Sequence, residues 1–450
     1  MYIDFLLERF KINADKQALI WKNEVYSYGK MHELIDNLSL ELENEELPEG
    51  SIVALDADFS PTSIALLLAL IEKKCIIALL SKAVRDKKQE FCEIAEAEYM
   101  ISLNEHDNVS IVKQHRKATY DIYGKLRSNQ RPGVVLFSSG STGKSKAAVH
   151  DFVPLLEKFK IQRHAKCTIA FLLFDHIGGL NTMFYTLSNG GCLVTVQDRS
   201  PEAVCSAIEK YQVQTLPTSP TFINLIMLSE AYKDSNLSSL ELVTYGTEVM
   251  PETTLKKFHT LFPTIRLLQT YGLSEVGILR SKSKSSNSLW VKVGGEEFET
   301  RVRNGMLEIK AQSAMLGYLN APSPYTEDGW FMTQDLVEVD GEYIKILGRS
   351  SEIINVGGEK VFPAEVESFL QLMEGVQEVA VSSVPSPITG QMVKATIKLS
   401  SSESVKDFRI RLIQFCSGKL PGYKIPQKLE IVDNWMHNDR FKKMRKNSNF

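Results

Sequence analysis

From the N-terminus to about residue 280, short apolar runs alternate with longer stretches whose apolar residues recur at helical spacing. Cys75 to Leu80 and Gly191 to Val196 read as buried strands. Pro201-Glu202-Ala203-Val204 opens a helix with Ala207 and Ile208 on its apolar face, and its end feeds a strand over Val213 to Leu216. Such alternation predicts parallel sheets with helices on their faces. The texture then changes. Ser281 to Ser288 is polar and low in complexity, which predicts an exposed loop or a subdomain boundary. From Leu289 to Leu347 the chain reads as short strands and tight turns. The strongest signal there is Val337 to Ile346, where Asp340-Gly341 between alternating runs marks a hairpin. A new helix starts near Pro363 with Val366, Phe369, Leu370 and Met373 at helical spacing, and strand, helix and strand patterns continue to the C-terminus. The pattern predicts an α/β chain. Its large N-terminal domain has parallel sheets covered by helices plus a β-rich subdomain, and a small α+β domain of about 100 residues follows.

Composition narrows the classes. The 450 residues are 43% hydrophobic and 24% charged, as in soluble globular proteins of two or three domains. A net charge of −3 gives none of the basic excess that phosphate-backbone binding needs, so no nucleic-acid partner is expected. The longest apolar run, Ile64 to Ile71, stops at Glu72-Lys73-Lys74, far short of the roughly 18 residues a membrane span requires. No secretory signal is visible, and the six cysteines lack Cys-x-x-Cys spacing. The expectation is a cytoplasmic protein with no membrane span and reduced, mostly core thiols.

The most informative segment is Val134 to Lys146, where an apolar strand runs into Ser138-Ser139-Gly140-Ser141-Thr142-Gly143-Lys144. Glycines let backbone amides converge on an anion, and hydroxyls and lysine add donors and charge, which suits phosphate. A nucleoside-triphosphatase P-loop fits less well. Ser138 stands where its first glycine belongs, Ala147 to His150 reads as a strand rather than a helix, and Pro154 would break a helix begun at Gly143.

Ser138 to Lys146 resembles the phosphate loop of the adenylate-forming enzymes, which include acyl-CoA synthetases, aryl-CoA ligases, peptide-synthetase adenylation domains and luciferase. Further segments resemble that family's motifs in order: Phe174 to Gly179, Tyr271 to Glu275, Thr333-Gln334-Asp335, Gly348 to Ile354, and Gly357 to Lys360. The resemblance implies an adenylation domain over 1–350, a mobile C-terminal domain over 351–450 and a hinge at Ser351. It also implies that a carboxylate attacks the α-phosphate of ATP and that a thiol then displaces AMP. In that scheme Ser138 to Lys144 hold phosphate, Glu275 helps hold Mg²⁺, and Thr270 or Ser274 reaches the α-phosphate. Asp335 and Arg349 take the ribose and phosphate, on either side of the Asp340-Gly341 hairpin. Tyr245, Gly246, Thr247 and Glu248 resemble the segment beside adenine and the acid, and Tyr271 and Gly272 belong to the adenine motif.

His176 has two readings, a group at the acid pocket or a core histidine satisfied by backbone. The implied pocket, around His176, Asn181, Tyr245, Gly246, Leu273, Val276, Gly277 and Ile278, is mostly apolar and shows no obvious cation. It suits a hydrophobic or aromatic acid. Asp175 falls one position early for the aspartate with which amino-acid-activating relatives bind an ammonium. Near the C-terminus the family's glycine-lysine pair becomes Phe441-Lys442, with Lys443 as a competing assignment and no glycine beside either. The resemblance therefore implies an ATP-dependent acid–thiol ligase that takes a hydrophobic or aromatic small-molecule carboxylic acid and passes it to coenzyme A or to the phosphopantetheine of an acyl carrier protein. Alternatives are a stand-alone acyl or amino-acid adenylation enzyme serving a carrier protein, and a non-catalytic nucleotide-binding relative.

Overall fold

The computed structural model describes residues 2–139, 145–295, 297–434, 437–438 and 440–445. Two seven-stranded sheets form the N-terminal part. The first runs Gly317–Tyr318, Ser145–Asp151, Gly133–Ser139, Ile76–Leu80, Ile52–Asp56, Tyr99–Leu103, Val109–Lys113, with a parallel centre and antiparallel edges. The second runs Arg266–Gln269, Leu242–Tyr245, Thr215–Thr218, Cys167–Ile169, Cys192–Val194, Gln17–Trp21, Glu24–Ser27, and is parallel except for its terminal hairpin. The predicted strand at Val213 to Leu216 begins two residues later. Val213 instead closes the preceding helix through its amide to Ile208, and the Gln214 amide bonds the Cys167 carbonyl.

The helix Pro61–Glu72 is apolar on every side because it lies between the sheets, in a core shared by Leu19 and Leu193 of one and Val53, Leu55, Ile77 and Val134 of the other. Ser60 and Ser63 cap it reciprocally, and Pro61 starts it where no amide bond is lost. At roughly 1.5–3 kcal/mol for each large apolar side chain taken from water, its leucines and isoleucines are a major share of the core. Among the described residues no helix is long and apolar enough to cross a membrane.

A third, six-stranded antiparallel sheet spans Arg280 to Arg349, with the expected hairpin as Phe331–Asp340 and Tyr343–Arg349. The serine-rich segment lies where the third sheet begins, as expected of a subdomain boundary, but it is not simply an exposed loop. Arg280–Ser283 is an edge strand paired with Val291–Gly294. The hydroxyls of Ser286, Ser283 and Ser281 accept the amides of Leu267, Gln269 and Tyr271 at 3.2, 2.9 and 3.2 Å. Serines here cover the open edge of the second sheet, a task that composition alone does not reveal. Beyond Arg349, a five-stranded sheet with the helices Pro363–Leu370 and Val405–Cys416 encloses its own core around Val366, Val381, Ile397, Phe408 and Leu412. All six cysteines are free, but only Cys75, Cys205 and Cys416 are buried.

Candidate active site

Gly133–Ser139 and Ser145–Asp151 are antiparallel partners, with Ser138 opposite Lys146. The segment between them thus joins two antiparallel strands, and a strand rather than a helix follows it. Gly140, Ser141, Thr142, Gly143 and Lys144, and the side chain of Ser139, lie outside the described residues. Their assignment rests on sequence.

The Tyr271 to Glu275 segment begins where Arg266–Gln269 ends and folds into a small ladder, Gly272–Leu273 against Gly277–Ile278. Gly272 is required by crowding, since a Cβ there would come within 2.6 Å of the Gly277 carbonyl oxygen. Gly246 is pressed equally hard on Thr270, whose carbonyl and hydroxyl oxygens both lie 2.8 Å from where its Cβ would be. Thr247 has φ +73°, a strained value for a β-branched residue.

Glu275 is fixed by the Tyr318 hydroxyl, which donates to Oε1 at 2.8 Å, and by its own carbonyl, which accepts the Met315 amide at 2.7 Å. His150, which the sequence reading passed over, is fully buried. Its ring nitrogens face the carbonyls of Ser274 at 2.6 Å and Ser313 at 3.1 Å. Burial pulls its pKa down, while the two carbonyls and the nearby Glu275 act in the opposite sense. The effect is to tie the Glu275 turn to the strand that leaves the phosphate loop.

The hairpin sets Asp335 directly opposite Arg349, whose Nε lies 3.5 Å from Oδ1. Tyr271 donates its hydroxyl to the other carboxylate oxygen at 2.5 Å, joining the adenine motif to this pair. Burial raises the pKa of Asp335 and the Arg349 guanidinium pulls it back.

The C-terminal segment closes the site from the other side. Arg440 bonds Asp175 at 2.7 Å, the Phe441 carbonyl accepts the Ser219 hydroxyl at 2.7 Å, and the Lys443 amide donates to Glu248 at 3.1 Å. The other oxygen of Glu248 accepts the Thr221 amide at 2.8 Å, so both its oxygens are engaged. Lys443 and Arg445 turn their side chains away to the buried Glu367, at 3.2 and 2.8 Å, and hold its carboxyl down to about 2 against the effect of burial.

Lys442 points the other way, into a cavity lined by Phe171, Leu172, Leu173, His176, Thr247, Arg440, Phe441 and itself. Burial, then Arg440, lowers its pKa to about 8, while Glu248 and Glu275 oppose the change. His176 carries both of its sequence readings. Its Nδ1 accepts the Gly178 amide at 3.0 Å as the cap of the helix Ile177–Ser188, and its ring borders the cavity. Burial keeps it neutral, aided by the charges of Lys442 and Arg440.

The expected pocket and this cavity differ in their lining. Of the residues assigned to the pocket, only His176 lines this cavity, and two cations do so, whereas none was expected. Tyr245 belongs to the core under the second sheet, Val276 to the core of the third, and Ile278 packs against the core between the two large sheets. Asn181 and Leu273 are half-buried, and Gly277 turns its short ladder at φ +86°. The cations were missed because they arrive from a segment about 265 residues from Asp175. The signal available was the basic cluster around Phe441.

The chain matches the AMP-binding enzyme family over residues 7–295 and the AMP-binding enzyme C-terminal domain over residues 365–442. It is 28% identical to the feruloyl-CoA synthase of Amycolatopsis sp over 327 residues, 67% of this chain and 66% of that protein, so the match spans about two thirds of that relative. It is 24% identical to the 2-succinylbenzoate–CoA ligase of Bacillus velezensis over 98% of this chain and 96% of that protein. Among solved structures, the anthranilate CoA ligase AuaEII in complex with anthranoyl-AMP shares the fold with a TM-score of 0.82, at 18% identity, covering 99% of this chain and 95% of that one. With both family segments matched in order and the fold shared along the whole chain, the protein belongs to the AMP-binding enzyme family.

Proposed function

We propose that this chain is an ATP-dependent acid–thiol ligase that activates an aromatic or other hydrophobic carboxylic acid as acyl-AMP and passes the acyl group to coenzyme A. The observation that carries the reading is the position of Lys442. Its ammonium is buried at a cavity with phenylalanine and leucine walls, yet near enough to Glu275 and Arg349 for their charges to act on it. One cation thus stands where a carboxylate bound in the cavity and a nucleotide bound at Asp335 and Arg349 would meet. An ammonium between two anions offsets their repulsion and favours a near-attack geometry, and charge developing on the α-phosphate is stabilised where it forms.

In this reading Asp335 accepts the ribose hydroxyls, Arg349 meets ribose or phosphate, Thr270 or Ser274 reaches the α-phosphate, and Ser138 to Lys144 cradle the phosphates. Gly246, Thr247, Tyr271 and Gly272 flank the base and the acid. Glu275 suits Mg²⁺ as a hard oxygen donor, already oriented by Tyr318. Among the described residues no group of three or more metal-ligating side chains exists, so phosphate and water would complete the shell. The ion would neutralise phosphate charge. Lys442 rather than Lys443 is assigned the adenylating role because Lys443 is committed to Glu367. Asp175 is spent on Arg440, which argues against an α-amino acid. Relatives named feruloyl-CoA synthase, indoleacetate–CoA ligase and 2-succinylbenzoate–CoA ligase support an aromatic acid and coenzyme A. We further place the domain boundary at 350/351, with Ser351 as the hinge, and, on its six free thiols, the protein in the cytoplasm.

The test is acid-dependent pyrophosphate release screened over ferulate, indole-3-acetate, 2-succinylbenzoate, fatty acids and amino acids, followed by thioester analysis with coenzyme A or a holo carrier protein. AMP and an acyl-CoA are the expected products. ADP would overturn the reaction class, and ATP binding without pyrophosphate release would leave the non-catalytic alternative standing.

A further inference from the structure

Phe441 has φ +50°, a backbone region that glycine enters freely and phenylalanine does not. Its ring is held by three others: Phe171 at 5.2 Å, Phe222 at 5.1 Å nearly edge-on, and His437 of its own segment stacked at 5.2 Å. The two phenylalanine partners belong to the N-terminal part, one lining the acid cavity and the other one turn into the helix Pro220–Ser229. On either side of the ring, polar contacts continue the same seam. Arg440 precedes it with its bond to the 4% exposed Asp175, and the Lys443 amide follows it to Glu248. Lys442 sits inside this run, and among the described residues its ammonium has no hydrogen-bond partner. Its neighbours, rather than any contact of its own head, therefore fix where it points.

We infer that Phe441 and Arg440 are positioning residues for adenylation, a latch whose aromatic ring docks between Phe171 and Phe222 and whose guanidinium docks on Asp175 to seat Lys442 in the acid cavity. The latch presupposes the adenylating role proposed for Lys442. It also accounts for a bulky side chain at a left-handed position, because burial of the ring among aromatic partners offsets a strain that a glycine would avoid. The thioester step, with the C-terminal segment withdrawn, has no use for it.

The experiment compares Phe441→Gly, Phe441→Leu, Arg440→Gln and Lys442→Ala, using ferulate, ATP and coenzyme A for the full reaction and synthetic feruloyl-adenylate with coenzyme A for the second half. Hydrogen exchange at the amides of Phe441 and Lys443 is followed in each variant and does not depend on which acid is accepted. Phe441→Gly should cut acid-dependent pyrophosphate release at least tenfold through kcat, speed exchange at Lys443 at least tenfold, and leave thioester formation within twofold. Phe441→Leu, which keeps apolar bulk, should retain more than half of the exchange protection, and Arg440→Gln should fall between the two. Phe441→Gly adenylating as fast as the parent, or losing both half-reactions in proportion, overturns the latch. If Lys442→Ala abolishes adenylation and Phe441→Gly does not, the latch alone fails. If Lys442→Ala is neutral, the role given to Lys442 fails, and unchanged exchange in Phe441→Gly then rejects the latch as well.

Discussion

Asp335 contacts both Arg349, its partner across a single hairpin, and Tyr271 in the turn beside it, whereas Arg440 and Lys442 reach the cavity beside His176 from the far end of the chain. At the first end, each charge is compensated by a neighbour that the β-ladder supplies, so the geometry exists without the C-terminal residues. At the second, holding two partly buried cations close together is unfavourable and is maintained by Asp175, Glu248 and the ring of Phe441. On the proposed function, nucleotide recognition and acyl activation are therefore separable properties. Damage to the docked segment should spare ATP binding, and damage to the hairpin should spare the acid cavity.

The sharpest test is Lys442→Ala. Loss of a transition-state cation of this kind costs on the order of 10³ in rate. Pyrophosphate release should fall by about that factor, with ATP affinity nearly unchanged and a supplied acyl-adenylate still converted to thioester. An equal loss of ATP affinity would break the distinction between the two ends, and the same pattern in Lys443→Ala would move the lysine register by one. Next, Glu275→Gln and Lys144→Ala should each slow adenylate formation roughly a hundredfold while the thermal midpoint stays put. Normal pyrophosphate release in both would remove the phosphate loop and Glu275 from the chemistry. Asp335→Asn should raise the KM for ATP by about tenfold, in keeping with one weakened charge-assisted hydrogen bond, and leave kcat largely intact. A fall confined to kcat would instead place Asp335 in the acyl-transfer chemistry.

The fourth expectation concerns pH. In the role proposed for it, Lys442 acts as the ammonium, and its pKa is lowered to about 8. Activity should therefore hold below that value and be lost as pH rises through it, by about tenfold per unit in kcat/KM for pyrophosphate release. A Lys442→Arg variant keeps its charge, so whatever activity it retains should lack this alkaline limb. The smallest effect is expected from Ser351→Pro, at an exposed position in the single turn Ser350–Glu352. Fixing φ there should slow one half-reaction several-fold more than the other. Equal slowing of both, measured as pyrophosphate release and thioester formation, would count against a hinge at this residue.

The pairing of Asp335 with Arg349 was easier to read from sequence, and the reason is physical. Asp335 and Arg349 flank an Asp-Gly turn, and a hairpin converts separation along the chain into pairing across it, so the local pattern carries the geometry. The acid end depends on contacts between residues hundreds of positions apart. Nothing around Asp175 announces Arg440, and nothing around Phe441 announces the two phenylalanines that hold it in a left-handed backbone. His150 was legible only as a strand residue, because its role lies in two backbone carbonyls supplied by other elements. The serine-rich segment misled for the opposite reason. Its composition is that of a solvated loop, but hydroxyls that accept edge amides look the same in sequence as hydroxyls that face water.

The helix Pro61–Glu72 has a consequence for how the protein is made. Its place between the two sheets needs the strand Gln17–Trp21 to be seated against Cys192–Val194, so one wall of its compartment is missing while the ribosome adds roughly 120 further residues. At ordinary elongation rates that is on the order of ten seconds. Throughout that interval the most apolar segment of the chain is incompletely covered, so its solubility during synthesis depends on chaperones or on temporary burial against the first sheet. Chains truncated before residue 192, which lack the strand Cys192–Val194, should aggregate through this segment.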